Sequence, residues 1–294
     1  MGDVPATGWD RAVVAGLDGS AEGLAAGLWA ADEAVLRGVP LRLVHVREAD
    51  PRVVPGAGGA ELVRDAAARV RRFHPELVVA TETVFGHAAD ALVAETTDAG
   101  PAGLLVLGSR GLGTVRGFLA GSVGLAVAAA SHRPVVLVRA GSGDEAPAHG
   151  GDVVAGVDVF EPNGEVLAFA FREAAVRSRR LRAVACWSLP PAYGYVAALD
   201  PGVTAEVGRE VAATLADLLV PWRQRFPSVT VTEAAVAGSP GVELVRAAAG
   251  AALLAVGRHR TRLPLAPRLG HVAHAVIHHA SVPVAVVPLE AGRH

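Results

Sequence analysis

The segment D-V-V-A-G-V-D, which ends at Asp158, repeats R-A-V-V-A-G-L-D, which ends at Asp18, and the echo runs on down the chain. V-A-G-S-P before Leu244 answers V-F-G-H-A before Leu92, and L-L-A-V-G at Gly257 answers L-L-V-L-G at Gly108. Gly108 and Gly121 stand thirteen residues apart, as do Gly257 and Gly270; a further thirteen lead from Gly121 to Pro134 and from Gly270 to Pro283. The chain is therefore an internal duplication, and one fold has to serve both halves. A length of 294 residues suits two domains of roughly 130–150 residues each. They are expected at 10–140 and 152–290, joined across 141–151, where G-S-G-D-E-A-P-A-H-G-G is polar, Gly-rich and without periodicity.

Within the first half, apolar runs alternate with helical spacing. Residues 11–18 form a short β-branched strand, and Leu24, Leu28, Trp29, Ala31 and Val35 follow near helical spacing until Arg37-Gly38 closes the helix. Residues 41–46 are the next strand, the Pro/Gly-rich 50–59 a loop, 60–73 a helix and 77–84 a strand; another helix follows Gly86 and runs to about Thr97. Gly103–Leu107 reads as a buried parallel strand, Ser122 opens an Ala/Val/Leu helix, and 135–138 after Pro134 is the last strand. Five strands alternating with four helices predict right-handed crossovers and an α/β fold with a parallel sheet covered by helices on both faces. Hydrophobic residues make up 51% of the chain but aromatics only 4%, so Ala, Val and Leu are expected to fill both cores.

Between the fourth strand and its helix lies G-S-R-G-L-G-T-V-R-G-F-L-A-G-S, residues 108–122. Backbone N–H groups, a small hydroxyl and a helix N-terminus thereby meet at the carboxyl end of a strand, where a doubly wound sheet places its ligand. A Cβ at Gly108, Gly111 or Gly121 obstructs positive φ or blocks close approach of the backbone to an anion. The stretch reads as a phosphate cradle. The alternative, a Gly-rich surface loop, explains the glycines in general but not their placement between a strand and a helix. All 27 basic residues are Arg, so the Lys of a Walker-type P-loop is missing and phosphoryl transfer by that machinery is excluded. A formal net charge of −2 gives no footprint for nucleic acid, and no basic tail addresses an anionic membrane. The N-terminus shows no basic region followed by an apolar run and no stretch reaches membrane-spanning length, so a soluble cytoplasmic protein is expected. The single Cys186 sits in the apolar run A-V-A-C-W and is expected as a buried structural thiol.

The spacing G-x2-G-x9-G-S resembles the ATP-binding signature of the universal stress protein family. The resemblance extends from about Arg11 to Arg139 and, more weakly, from about Asp152 to Leu289. It implies a Rossmann-like, adenine nucleotide alpha hydrolase-like fold of five strands in each of two tandem domains. These pair as separate subunits do in single-domain members, with Val135–Val138 and Val284–Val287 as the pairing edge; a homodimer of the chain is a further assembly it allows. The implied ligand is ATP, with Mg²⁺ as an accompanying ion. Asp18, with Gly16 and Ser20 beside it, then sits near the adenosine, and the backbone of Val46 meets the adenine edge. Gly108, Arg110 and Gly111 line the ribose and phosphates, and Gly121, Ser122 and Val123 hold the phosphates at the helix N-terminus. Asp18 also suits a plain N-cap, and capping by Ser122 is compatible with phosphate contact; Arg116 is expected as a solvated loop charge.

The second half keeps Asp158, Gly257 and Gly270 but carries Arg260 at the Gly111 position and His271 at the Ser122 position. Both changes strike the cradle, so this half is expected to have lost nucleotide binding, with the Arg260 guanidinium filling the vacant pocket; the alternative is a solvated basic loop of Arg258, His259, Arg260, Arg262 and Arg268. His271, His274 and His278 recur at i, i+3 and i+7 with His279 adjacent. Such spacing chelates metals, but no Cys or Glu joins them at ligand spacing, and surface histidines are the expectation. The loop 189–202, with Tyr193 and Tyr195, is expected to pack as an ordinary loop rather than as a lid. Three functions follow: a nucleotide-dependent stress or dormancy regulator with ATP in the first half and an unidentified protein partner; a slow ATPase, for which Asp18, Mg²⁺ and Arg110 supply no convincing base; or an adaptor using no ligand. The intact glycine spacing beside its decayed copy favours the first.

Overall fold

The computed structural model describes residues 11–47, 58–109, 122–140, 150–188, 201–259 and 269–289. The chain divides into two compact units, Met1–His149 and Gly150–His294. In the first unit the elements are β1 (Ala12–Gly16), α1 (Ala21–Arg37), β2 (Leu41–Arg47), α2 (Gly58–Phe73), β3 (Val79–Phe85), α3 (Ala88–Glu95), β4 (Ala102–Gly108), α4 (Ser122–Ala130) and β5 (Val135–Val138). The strands are parallel in the order β3-β2-β1-β4-β5. The apolar runs dictate this placement: Val13, Val14, Leu104, Leu105 and Val106 are each 0% exposed, as parallel strands covered on both faces require. The edge strand β3 has no buried residue. It begins at Val79 rather than at Leu77, because the Leu77 amide turns back to the His74 carbonyl at 3.1 Å and closes the end of α2.

The order matters for function because the chain leaves β1 toward β2 and β3, then returns to the other side of β1 as β4 and β5. A crevice therefore opens at the carboxyl ends of β1 and β4.

The second unit repeats the plan with β6 (Val153–Gly156), α5 (Gly164–Val176), β7 (Leu181–Trp187), α6 (Pro201–Arg225), β8 (Val231–Ala237), α7 (Pro240–Ala247), β9 (Leu253–His259), α8 (His271–His279) and β10 (Val284–Leu289). Its parallel order is β10-β9-β6-β7-β8. Both units bury an i,i+4 ion pair at matching positions, Glu33 with Arg37 and Glu173 with Arg177, on the helix that follows the first strand. Two features depart from expectation. Pro201 and Gly202 belong to α6, a helix of 25 residues, rather than to the loop before it; residues 189–200, with both tyrosines, lie outside the described residues. Phe171, 0% exposed, stacks on Trp222 at 5.9 Å and packs on Phe226 at 5.5 Å, so aromatic rings join the aliphatic core.

The units also differ where α1 and α5 begin. Position for position, Gly19, Ser20 and Glu22 become Val159, Phe160 and Pro162. Gly19 sits at φ +86°, a conformation costly for a β-branched residue. Ser20 caps α1 by accepting the Gly23 amide at 3.0 Å, and Phe160 has no acceptor to offer. Helix α5 accordingly starts at Gly164, three residues later than α1 starts after its own aspartate. Asn163 secures the unwound turn: its side chain accepts the Asp158 amide at 3.2 Å and donates to the carbonyls of Asp158 and Glu161. Among the described residues, no helix is long and apolar enough to cross a membrane.

Candidate functional site

The crevice of the first unit is a cleft of about 380 Å³. Gly16 and Asp18 enter it from the end of β1, Val46 from β2, Gly108 from β4, and Ser122 and Val123 from the first turn of α4. Four separated stretches of sequence thus supply one wall system, and six of the ten residues expected at the site meet there. Arg110, Gly111 and Gly121 lie outside the described residues, as does Arg116.

Ser20 is not among the lining residues. Its hydroxyl donates to Asp18 Oδ1 at 2.5 Å and accepts the Gly23 amide, while its own amide also reaches Asp18 Oδ1 at 2.9 Å. Ser20, not Asp18, is therefore the N-cap of α1. Asp18 braces that cap from below and faces the cleft.

The glycines hold their positions for packing reasons. A Cβ on Gly16 comes within 2.5 Å of Leu107 Cδ2 and 3.2 Å of Leu92 Cδ2. Gly108 is not in the positive-φ region, contrary to one reason expected for it. A Cβ there meets the backbone of α1's first turn instead, at 2.8 Å from Glu22 C and 2.9 Å from Gly23 N. Sequence reasoning missed His45 and Leu92 as lining residues. The His45 imidazole Nδ1 lies 2.7 Å from the Leu17 carbonyl, which fixes the ring at the cleft floor. Leu92 was signalled by the repeat itself, since its counterpart Leu244 packs on Gly156 as Leu92 packs on Gly16.

The second unit has a cleft of about 430 Å³, bounded by Asp158, Cys186, Gly257, Gly270 and His271 among others. The expected loss of binding therefore does not come from lack of room among the described residues; Arg260 lies outside them. The unwound turn opens this cleft toward α5, and Glu161, Pro162 and Asn163 line it. Its Gly257 faces side chains, Leu289 Cδ1 at 3.0 Å and Val166 Cγ2 at 3.1 Å, where Gly108 faces backbone. His271 opens α8 as Ser122 opens α4.

Cys186 occupies the strand position that Val46 holds in the first unit and is half-buried on the cleft wall rather than fully enclosed. Burial, helped by the Glu243 carboxylate, pushes its thiol up from the usual 9.0 to about 11. At neutral pH the thiolate fraction falls about a hundredfold below that of an ordinary cysteine, and the thiolate is the nucleophile. Iodoacetamide is accordingly expected to modify Cys186 far more slowly than glutathione at pH 7.5, with urea restoring the ordinary rate; equal rates in the folded chain contradict this environment. On α8, His274 Nε2 and His278 Nε2 approach to 3.2 Å. Among the described residues, no group of three or more His, Cys, Asp or Glu is arranged to hold a metal ion.

The universal stress protein family matches residues 11–139 and 151–288. The universal stress protein Rv2005c of Mycobacterium tuberculosis is 32% identical over 299 residues, covering 93% of this chain and 96% of its own. Rv3134c of the same organism is 35% identical over 235 residues, covering 78% of this chain and 81% of its own. The crystal structure of a putative universal stress protein from Pseudomonas aeruginosa shares the fold, with a TM-score of 0.64 at 16% identity, over 95% of this chain and 93% of that one. With one family match on each repeat and relatives at this identity along nearly the whole length, the chain belongs to the universal stress protein family as a tandem two-domain member.

Proposed function

We propose that this chain is a cytoplasmic, nucleotide-dependent regulator of a stress or dormancy response, in which the first domain, 10–140, holds ATP and the second, 152–290, supports it. The observation that carries this reading is the convergence of Gly16, Asp18, Val46, Gly108, Ser122 and Val123 on one cleft at the strand-order reversal. That is where a Rossmann-like, adenine nucleotide alpha hydrolase-like domain receives its ligand. A volume of about 380 Å³ falls in the range of small-molecule sites. Val44 and Val46 offer apolar surface to a purine. Asp18 suits ribose hydroxyls, and the start of α4 with Ser122 suits phosphate oxygens, which Mg²⁺ accompanies. Arg110, Gly111 and Gly121 complete the cradle in this proposal.

Regulation is favoured over hydrolysis because Asp18 Oδ1 already accepts two hydrogen bonds from Ser20 within its own turn. The carboxylate is thus a positioned acceptor rather than a base poised on water. The second domain, in the same proposal, does not bind ATP: His271 replaces the small hydroxyl, Arg260 replaces a cradle glycine, and the first turn of α5 is unwound.

Titration calorimetry of the whole chain with MgATP tests this. One site is expected, weakened at least about tenfold by Ser122→Ala through loss of a hydrogen bond to a charged group. Introducing Arg260→Gly together with His271→Ser is expected to create a measurable second site. Absence of binding to the parent chain overturns the reading. Absence of a second site in the double variant overturns only the explanation given for the second domain.

A further inference from the structure

The histidines of α8 form a compact pair that the nucleotide reading does not use. His274 is exposed and His278 is 8% exposed; one turn apart, their rings approach with centroids at 4.3 Å and a tilt of 47°. The two Nε2 atoms converge to 3.2 Å, so one ring presents Nε2–H and the other its lone pair. From this geometry we infer that His274 and His278 form a two-point chelate for a divalent first-row transition ion of the zinc, nickel or copper type.

The bite distance supports it. With metal–nitrogen bonds of about 2.0–2.1 Å, two nitrogens 3.2 Å apart subtend roughly 100° at the metal, near the tetrahedral value. Imidazole suits these ions, and hard ions such as Mg²⁺ prefer oxygen donors. With His274 as the donating ring, binding displaces the hydrogen shared between the two Nε2 atoms onto that exposed ring's Nδ1, and both Nε2 lone pairs then face the ion. Water fills the remaining positions, since no third ligating side chain joins the pair among the described residues. The ion then ties the middle of α8 to its last turn. That helix begins at His271 on the wall of the second cleft, so occupancy stiffens one side of it.

Equilibrium dialysis of the whole chain against Zn²⁺, and separately Ni²⁺, tests the chelate, with variants His274→Ala, His278→Asn and, as a control on the neighbouring ring, His279→Ala. His274→Ala is expected to weaken Zn²⁺ binding roughly tenfold or more, because a two-point attachment becomes a single one. His278→Asn is expected to do the same, and His279→Ala to leave binding as in the parent. Helical content by circular dichroism shows that the exposed His274→Ala variant remains folded, so its result stands even where the buried His278 variant is destabilised. Parent-like Zn²⁺ and Ni²⁺ binding in His274→Ala overturns the inference, as does an equal loss in His279→Ala. ATP calorimetry is read separately and does not bear on it.

Discussion

Phe171→Ala is expected to lower the stability of the second unit by about 4 kcal/mol, enough to consume much of a typical domain's margin. Phe171 is fully buried on α5 and lies against Trp222 of α6 and Phe226, the residue just after that helix; these two stack on each other at 6.4 Å. Truncation removes the ring's transfer energy, leaves a cavity, and severs two aromatic contacts worth about 0.5–1.5 kcal/mol each. The long helix is held from its C-terminal end by this trio, and further along by Leu215 and Leu219, both 0% exposed. Collapse around the missing ring is limited because Trp222 and Phe226 are rigid and planar. Urea unfolding followed by tryptophan fluorescence measures the loss through the transition to which Trp222 contributes. Phe171→Leu, which keeps most of the volume, is expected to cost less than half as much. A Phe171→Ala midpoint equal to that of the parent contradicts this account of α6 docking.

What the sequence disclosed and what it hid follow a physical division. Strands β1 and β4 were legible because a strand buried on both faces has to be a short unbroken apolar run, and R-A-V-V-A-G and L-L-V-L-G are little else. The cleft position followed from order alone, since alternating strands and helices with a glycine step after the fourth strand leave few topologies. The beginning of α5 was not legible from the repeat. The repeat matched Asp158 to Asp18, but backbone permissiveness had changed one and two residues later, in Val159 and Phe160. The signal was present as the loss of Gly19 and the Ser20 cap together, with Pro162 one turn on. Equally hidden was the role of Ser20: Asp18 looked like a cap by residue type, but the side chain that reaches the Gly23 amide is the serine's. The aromatic trio could not be read from periodicity, because Phe171 and Trp222 are brought together only by docking of α6 on α5.

Gly108→Ala is expected to cost about 1–3 kcal/mol, while the repeat-equivalent Gly257→Ala costs less, and the difference comes from the first turn of the neighbouring helix. In the first unit the added methyl meets main-chain atoms at 2.8 and 2.9 Å, and main chain in a capped helix cannot rotate away. Relief requires moving the turn that carries Glu22 and Gly23, and with it the Ser20 cap and the Asp18 carboxylate bonded to it. In the second unit that turn is unwound, and the methyl meets side-chain rather than main-chain atoms, Leu289 Cδ1 at 3.0 Å and Val166 Cγ2 at 3.1 Å, contacts that are relieved when the side chains give by a few tenths of an ångström. One substitution made at two positions related by duplication therefore separates the two packing environments without changing chemistry. Because Asp18 and Gly108 line the same cleft, Gly108→Ala is also expected to weaken ATP binding at least about tenfold, the equivalent of one displaced hydrogen bond to a charged group. Gly257→Ala is expected to leave it unchanged. Urea denaturation and titration calorimetry on the same preparations read both effects. Equal stability losses at the two glycines refute the helix-turn argument, and a destabilised Gly108→Ala that binds ATP as the parent does separates that turn from the proposed nucleotide site.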